Sequence, residues 1–290
     1  MTQSGRLSSF IFFGEDAFSL AVLQSLVECK LGLQPLAVVM LEPISVSGLR
    51  LVNYCVGRGI LLIKAKEVRS DEFLDRFEVI NFDLLICAHF SRILPIRLFS
   101  RARLGALNLH PSLLPLYRGM APQHWPIVLG DAETGVTVHC IEEGVDTGRI
   151  IRQVRIQLNP EIYIHELQKK FLAVYQTIMV EAVDRLINGQ EGAVQPAEGV
   201  TYFQKIRECD MEITSQMNIK RVYGLIRAFS FPYPGARFQD IRIMKARIVD
   251  EVLWLELQQY AQMPGIQSRG AQSYLVLKDG ALELTKFRCL

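Results

Sequence analysis

Three polar residues of this 290-residue chain have the types and spacing of a reaction centre. In "LNLHPSLLPLYRG", Asn108 and His110 stand two residues apart at the end of an alternating run. On a strand, residues i and i+2 share a face. An amide and an imidazole therefore lie side by side where a buried strand would carry Val or Ile. Further on, Asp146 sits in the Gly-bounded loop "EEGVDTG". Each has an ordinary structural explanation: Asn at a strand end forms turns, a lone His is most often a satisfied packing residue, and Asp before Thr-Gly makes an Asx-turn. Together they fit one chemical scheme. An amide N–H hydrogen-bonds a carbonyl oxygen as it becomes an oxyanion. A neutral imidazole exchanges a proton near neutral pH. A carboxylate orients the imidazole and stabilises its charged form. No Ser or Cys stands in an elbow such as GxSxG, and the sequence shows no metal-ligand cluster. The pattern favours direct attack of a substrate nucleophile on an acyl carbon, without an acyl-enzyme.

The surrounding pattern supplies elements to hold these groups. Short apolar runs at 10–13, 36–41, 60–63, 82–88 and 104–110 read as buried strands. Helical patterns lie between them: one after Asp16 through Leu20, Leu23 and Leu26, one over 47–59 and one over 71–77. Strands alternating with helices predict an α/β, Rossmann-like, mostly parallel sheet with helices on both faces. In such sheets ligands sit outside the carboxyl ends of the strands. Asn108 and His110 lie at one such end, and "AHFSRILP" (88–95) follows another.

The pattern then changes. Runs at 135–141 and 149–158 alternate like strands, and an amphipathic helix follows over about 162–187, with Leu167, Phe171, Tyr175 and Ile178 at helical spacing. "NGQEGAVQPAEGV" reads as a linker. Beyond it, Asn218 is placed to cap a helix running to Phe229, which "FPYPGARF" breaks, and segments at 241–248, 252–257 and 274–284 read as short strands. The expected organisation is a catalytic domain over 1–187, a linker over 188–202 and a small, mostly β, barrel-like (OB-like) domain over 203–290.

Bulk properties narrow the function classes. Lys and Arg number 32 against 30 Asp and Glu, a net charge of +2. Nucleic-acid binders usually carry a basic patch or stripe; here the densest basic stretch, "IRIMKARIVD", alternates with apolar residues like a strand with one wet face. No run approaches the ~20 apolar residues of a membrane span, and "MTQSGRLSSF" lacks the apolar region of a signal peptide. The six cysteines are scattered without CxxC pairing, as expected of reduced thiols in a cytoplasmic protein.

"LNLHPSLLPLYRGMAPQHWPIVLGDAETGVTVHCIEEGVDTGRII" resembles the core of the folate-dependent formyltransferases: Asn-x-His-Pro-Ser-Leu-Leu-Pro, then Arg-Gly, Gly-Val-Thr and Asp-x-Gly, in order. Members of that family carry a formyl group from N10-formyltetrahydrofolate to a primary amine. The resemblance implies that Asn108 polarises the formyl oxygen, His110 handles the proton, and Asp146 supports the imidazole and a bound water. "HFSRILP" resembles the folate-binding loop, so Phe90, Ser91, Arg92, Ile93 and Leu94 would flank the pterin, with Ile141, Glu143 and Asp146 on the other side. Core packing is the competing explanation for Ile93 and Leu94. Tyr117 and Arg118 are the candidates for the acceptor side, and for Arg118 a structural pairing with a carboxylate is an equal alternative.

The C-terminal stretches "VYGLIRAFSFPYPGARF" and "MPGIQSRGAQSYLVLKDGALEL" resemble the accessory barrel of methionyl-tRNA and some sugar formyltransferases. The tRNA enzymes carry a basic, Gly-rich insertion after the second strand; the equivalent "LEPISVSGLR" has one Arg and one Glu, and the barrel ends without a basic tail. With "PYPGA", this favours an amino-sugar nucleotide as acceptor, with small-molecule substrates, no nucleic acid, no membrane and a homodimer as a common assembly for such transferases. Methionyl-tRNA, an aminoacyl group on a carrier protein, and an inactive folate-binding homologue remain the alternatives.

Overall fold

A computed structural model of the chain describes residues 8–260 and 264–290. Most of the signal-peptide expectation (1–7) and Met263 of the C-terminal motif lie outside these residues. Backbone proximity divides the chain into two compact units: one of 1–119, 135–155 and 171–202, the other of 120–134, 156–170 and 203–290.

In chain order the first part runs β1 (Ser8–Phe13), α1 (Ala17–Glu28), β2 (Leu33–Leu41), α2 (Leu49–Arg58), β3 (Leu61–Ala65), α3 (Asp71–Glu78), β4 (Leu84–Ala88), α4 (Ile96–Phe99) and β5 (Gly105–His110). Then come β6 (Arg118–Gly119), α5 (Trp125–Leu129), β7 (Glu133–Cys140), β8 (Ile150–Gln157), α6 (Ile164–Ile187) and β9 (Tyr202–Phe203). The seven-stranded sheet has the order β3-β2-β1-β4-β5-β7-β8. Pairs from β3 to β5 are parallel and β5 pairs antiparallel with β7. The continuous apolar runs of β1 and β4 are buried throughout, as a strand covered on both faces requires. One core cluster joins Ile11, Phe13, Phe73, Phe77, Leu85, Leu94 and Leu98. The Asp16 side chain caps α1 by accepting from the Phe18 and Ser19 N–H groups, while Ser19 Oγ accepts from the Asp16 N–H.

The second unit is built on α7 (Ile219–Ala228) and the strands β10 (Ala236–Phe238), β11 (Ile241–Ile248), β12 (Gly265–Arg269), β13 (Gln272–Leu277) and β14 (Gly280–Cys289). These strands form an antiparallel sheet in the order β10-β11-β14-β13-β12. Asn218 caps α7 through the Arg221 N–H, at 2.8 Å. The expected strand at 252–257 is instead a helix, α8 (Glu251–Gln258). Asp250 accepts from the Leu253 N–H at 2.8 Å, a local cap that outweighs strand propensity, and Leu253, Trp254 and Leu257 pack at helical spacing on Tyr274 and Val276. Segments 120–134 and 156–170, expected with the catalytic domain, group with this unit. The physical cause is close packing: Gly224 of α7 lets the backbone of α5 approach so tightly that a Cβ there would lie 2.7 Å from the Val128 carbonyl oxygen. The Tyr163 hydroxyl also bridges to the Ala246 backbone of β11.

Among the described residues, no helix is long and apolar enough to cross a membrane, and no group of His, Cys, Asp or Glu is arranged to hold a metal ion.

Candidate active site

Sheet register brings the polar residues together. Asn108 faces Cys87 on parallel β4 and His139 on antiparallel β7. His110, which ends β5, faces Thr137. Because β5 and β7 are antiparallel, the alternation that aims Asn108 and His110 to one side also aims His139 there. Asp146 enters from the loop between β7 and β8, with φ of 53°, a left-handed conformation that Asp tolerates better than most residues. Gly148 follows it, and a Cβ at that position would collide with the Cys140 carbonyl.

The geometry is a closed polar cluster. His110 is 4% exposed. Its Nε2 lies 2.8 Å from the Tyr117 carbonyl oxygen, which selects the Nε2–H tautomer and leaves the Nδ1 lone pair facing Asp146 Oδ2 at 3.5 Å. Burial pushes the His110 imidazole below its ordinary value, and the Asp146 charge opposes that only in part. For Asp146, burial alone would raise the carboxyl. The His110 charge, His139 and the Gly119 N–H (2.8 Å) outweigh it and hold the group well below the usual carboxylate range. His139 Nδ1 lies 2.7 Å from the Cys140 carbonyl oxygen, so the Nδ1–H tautomer turns Nε2 towards the Asn108 amide as an acceptor at 3.1 Å. The second Asn108 N–H reaches Asp146 Oδ1 only at 3.5 Å. One amide hydrogen is thus firmly held and the other weakly.

This arrangement can present a poised N–H donor beside a neutral base that has a carboxylate to stabilise its charged form, which is the equipment for acyl transfer to a substrate nucleophile. The Formyl transferase profile matches residues 37–183, and the profile of the formyl transferase C-terminal domain matches 205–289. The chain belongs to the formyl transferase family.

A methionyl-tRNA formyltransferase of Thermodesulfovibrio yellowstonii is 26% identical over 84% of this chain and 81% of its own length. One from Aromatoleum aromaticum is 32% identical over 78% and 72%. A solved N-formyltransferase from Helicobacter canadensis, in complex with folinic acid and dTDP-3-aminofucose, shares the fold with a TM-score of 0.70 at 19% identity, covering 98% of this chain and 100% of that one.

The segment after β4 lies at the point where the sheet order reverses, between β1 and β4. Its residues divide. Leu94 is buried in the core cluster, so its side chain packs the sheet. Phe90 meets Phe13 edge-on at 5.3 Å and backs the same cluster, as does Ile141. Ile93 is 57% exposed. Ser91 is fixed by Glu15, whose carboxylate accepts from its N–H (2.8 Å) and hydroxyl (3.0 Å). Arg92 and Glu143 are exposed.

Tyr117 and Arg118, the expected acceptor residues, are both buried. Arg118 Nε and Nη2 donate to Gln195 Oε1, and Nη1 donates to the Tyr202 hydroxyl. Gln195 in turn donates to the Asp146 and Gly148 carbonyls, each at 2.8 Å. Arg118 is therefore a clamp on the Asp146 loop, with an amide partner in place of the expected carboxylate. Three of its five N–H groups serve that clamp.

Two histidines beside this cluster and the β4 loop received no role in the sequence reading. His139 was hidden because it stands on a strand read only for its alternation; its i+2 relation to Thr137 in "GVTVHCI" was the available signal. His89 follows β4 directly with φ of 51°, held by Asp16 (3.2 Å), the Tyr175 hydroxyl (2.9 Å) and the face of Phe18. It heads the "HFSRILP" stretch, but its contacts with Asp16 and Tyr175 are tertiary and carry no local sequence signal.

Proposed function

We propose that this chain transfers a formyl group from N10-formyltetrahydrofolate to a primary amine, and that the amine belongs to a nucleotide-linked sugar. The observation that carries the reading is the cluster of Asn108, His110, His139 and Asp146 at the carboxyl end of β5. Family membership supports the chemistry, and the folinic acid in the Helicobacter canadensis structure supports a folate as donor.

In this reading the amine nitrogen bonds to the formyl carbon as the carbonyl oxygen gains negative charge. The weakly held N–H of Asn108 leaves its 3.5 Å bond to Asp146 and donates to that oxygen. His139 keeps the other amide hydrogen and so fixes the orientation. His110 Nδ1 takes the proton that the amine loses, and Asp146 stabilises the imidazolium. The same proton passes to N10 as the carbon–N10 bond breaks, which restores neutral His110. Phe90, Ser91, Arg92, Ile93, Ile141 and Glu143 flank the pterin, while Leu94 supports them from the core.

The acceptor assignment rests on charge. Segment 42–48, joining β2 to α2, carries Glu42 and no Lys or Arg. Phosphate contacts dominate nucleic-acid affinity, so that segment offers little to a tRNA. Methionyl-tRNA is the second reading, favoured by the curated relatives. The test supplies N10-formyltetrahydrofolate with a panel of amino-sugar nucleotides and, separately, charged initiator tRNA. Tetrahydrofolate release with a sugar nucleotide, insensitive to total tRNA, is the expected result. Formylmethionyl-tRNA formed without sugar turnover replaces the acceptor assignment and leaves the chemistry intact.

A further inference from the structure

The C-terminal unit holds a cleft of about 820 Å³ that the proposed reaction does not use. Its walls come from the segment entering α6, from strand β11 and from Tyr223 of α7. The basic stretch "IRIMKARIVD" supplies Lys245 and Arg247 to it, Arg247 with its Nε paired to Glu283, and α6 adds Lys170, whose Nζ donates to the Gln157 carbonyl (3.1 Å). The pairing of β11 with β14 is irregular on both sides of Lys245, the kind of bulge that re-aims a side chain.

The lining combines cations with fixed ring faces. The Tyr163 hydroxyl donates to the Ala246 carbonyl (3.0 Å) and accepts from the Ala246 N–H (3.3 Å), which pins the ring against β11. Lys245 Nζ lies 6.0 Å above that ring. Tyr223 is backed by the Arg227 guanidinium at 4.6 Å. Beside them His165 Nδ1 is buried and has no hydrogen-bond partner among the described residues. A buried polar atom without a protein partner is one that a ligand atom can satisfy. The carboxylates differ in availability: Glu166 accepts from the Tyr163 N–H, while the exposed Glu161 side chain, also in the lining, has no hydrogen-bond or ion-pair partner among the described residues.

We propose that this cleft is a nucleotide-binding site separate from the formyl-transfer centre, taking a nucleoside diphosphate with its phosphates on Lys245 and Arg247 and its base against Tyr163. Cations alone would take any small anion. The volume is that of a whole small-molecule site, of the order of 300–1,000 Å³, and a lone phosphate fills a minor part of it. Planar rings add the stacking surface that a base uses. Glu161 is placed to accept from a ribose hydroxyl or an exocyclic amine, and His165 Nδ1 gains a partner from the ligand.

The test is calorimetric titration of the full chain with ADP and dTDP, and in parallel with inorganic pyrophosphate. Wild type is compared with the Lys245→Ala/Arg247→Ala variant, whose exposed side chains leave the fold intact, as thermal unfolding will verify. The expected result is a nucleotide-binding event weakened at least about tenfold in the variant, with pyrophosphate at least about tenfold weaker than nucleotide in wild type. Titrations that do not differ between wild type and variant overturn the proposal. Pyrophosphate binding as tight as nucleotide overturns it too, because that describes an anion site only. A sugar-nucleotide acceptor adds a second binding event that survives the variant; absence of that event counts against the acceptor assignment alone.

Discussion

His110 carries a proton only in passing, and its surroundings decide at which pH it can do so. Burial lowers its pKa below the ordinary 6.5. The active base is the neutral ring, so lowering the pKa extends activity towards acid. The acid limb of kcat/KM is expected below pH 6.5, and a limb at or above that value contradicts the assignment. The Asp146 charge raises the His110 value. Asp146→Asn should therefore shift the limb further towards acid while lowering kcat, because the imidazolium loses its counter-charge. His110→Ala removes the base, and such groups contribute roughly 10²- to 10⁴-fold; a rate within threefold of wild type excludes it from the mechanism. His139→Ala frees the Asn108 amide to rotate. It should lower kcat by less than Asn108→Ala does, with little change in KM for the formyl donor.

Strand ends and loops do the positioning, and they also mark where sequence reading succeeds. Asn108 and His110 were legible because period-two alternation at a predicted carboxyl end admits few explanations for two adjacent polar side chains. The Asp16 cap and the start of α7 at Asn218 were legible for the same local reason: short polar side chains next to helical periodicity. The register of β5 against β7 was not, since pairing of strands separated by about thirty residues is a tertiary choice, and with it went His139. Helix α8 was misread because "VLWLEL" suits either period and the Asp250 cap decides it. Arg118 was legible as important but not as buried. Its partner Gln195 lies in a stretch that reads as linker. Gln195→Leu should leave the guanidinium without its acceptor and cost about 1.5–3 kcal/mol in urea unfolding, with KM for the amine little changed. A large rise in that KM at unchanged stability would return Arg118 to the acceptor side.

At the scale of the molecule, pH acts on the second unit through His124. This ring is buried, stacked on Phe229 and met edge-on by Tyr233, and burial pushes its pKa down to about 4. The unfolded chain therefore binds the proton first as pH falls. Stability is fully present above pH 6.5 and declines as pH drops towards 4, by an amount on the order of 3 kcal/mol. His124→Phe should flatten thermal stability across that window; an unchanged slope removes His124 as its source. The central claim concerns the other unit, where an amide donor and a neutral imidazole at one strand end move a formyl group to an amine. It is tested most directly by single-turnover transfer from N10-formyltetrahydrofolate to the acceptor found in the screen, with wild type and Asn108→Ala side by side. The expected result is amine-dependent tetrahydrofolate release in wild type, with the Asn108→Ala rate lower by about 10²- to 10³-fold at nearly unchanged donor affinity. Equal single-turnover rates in the two proteins would contradict it.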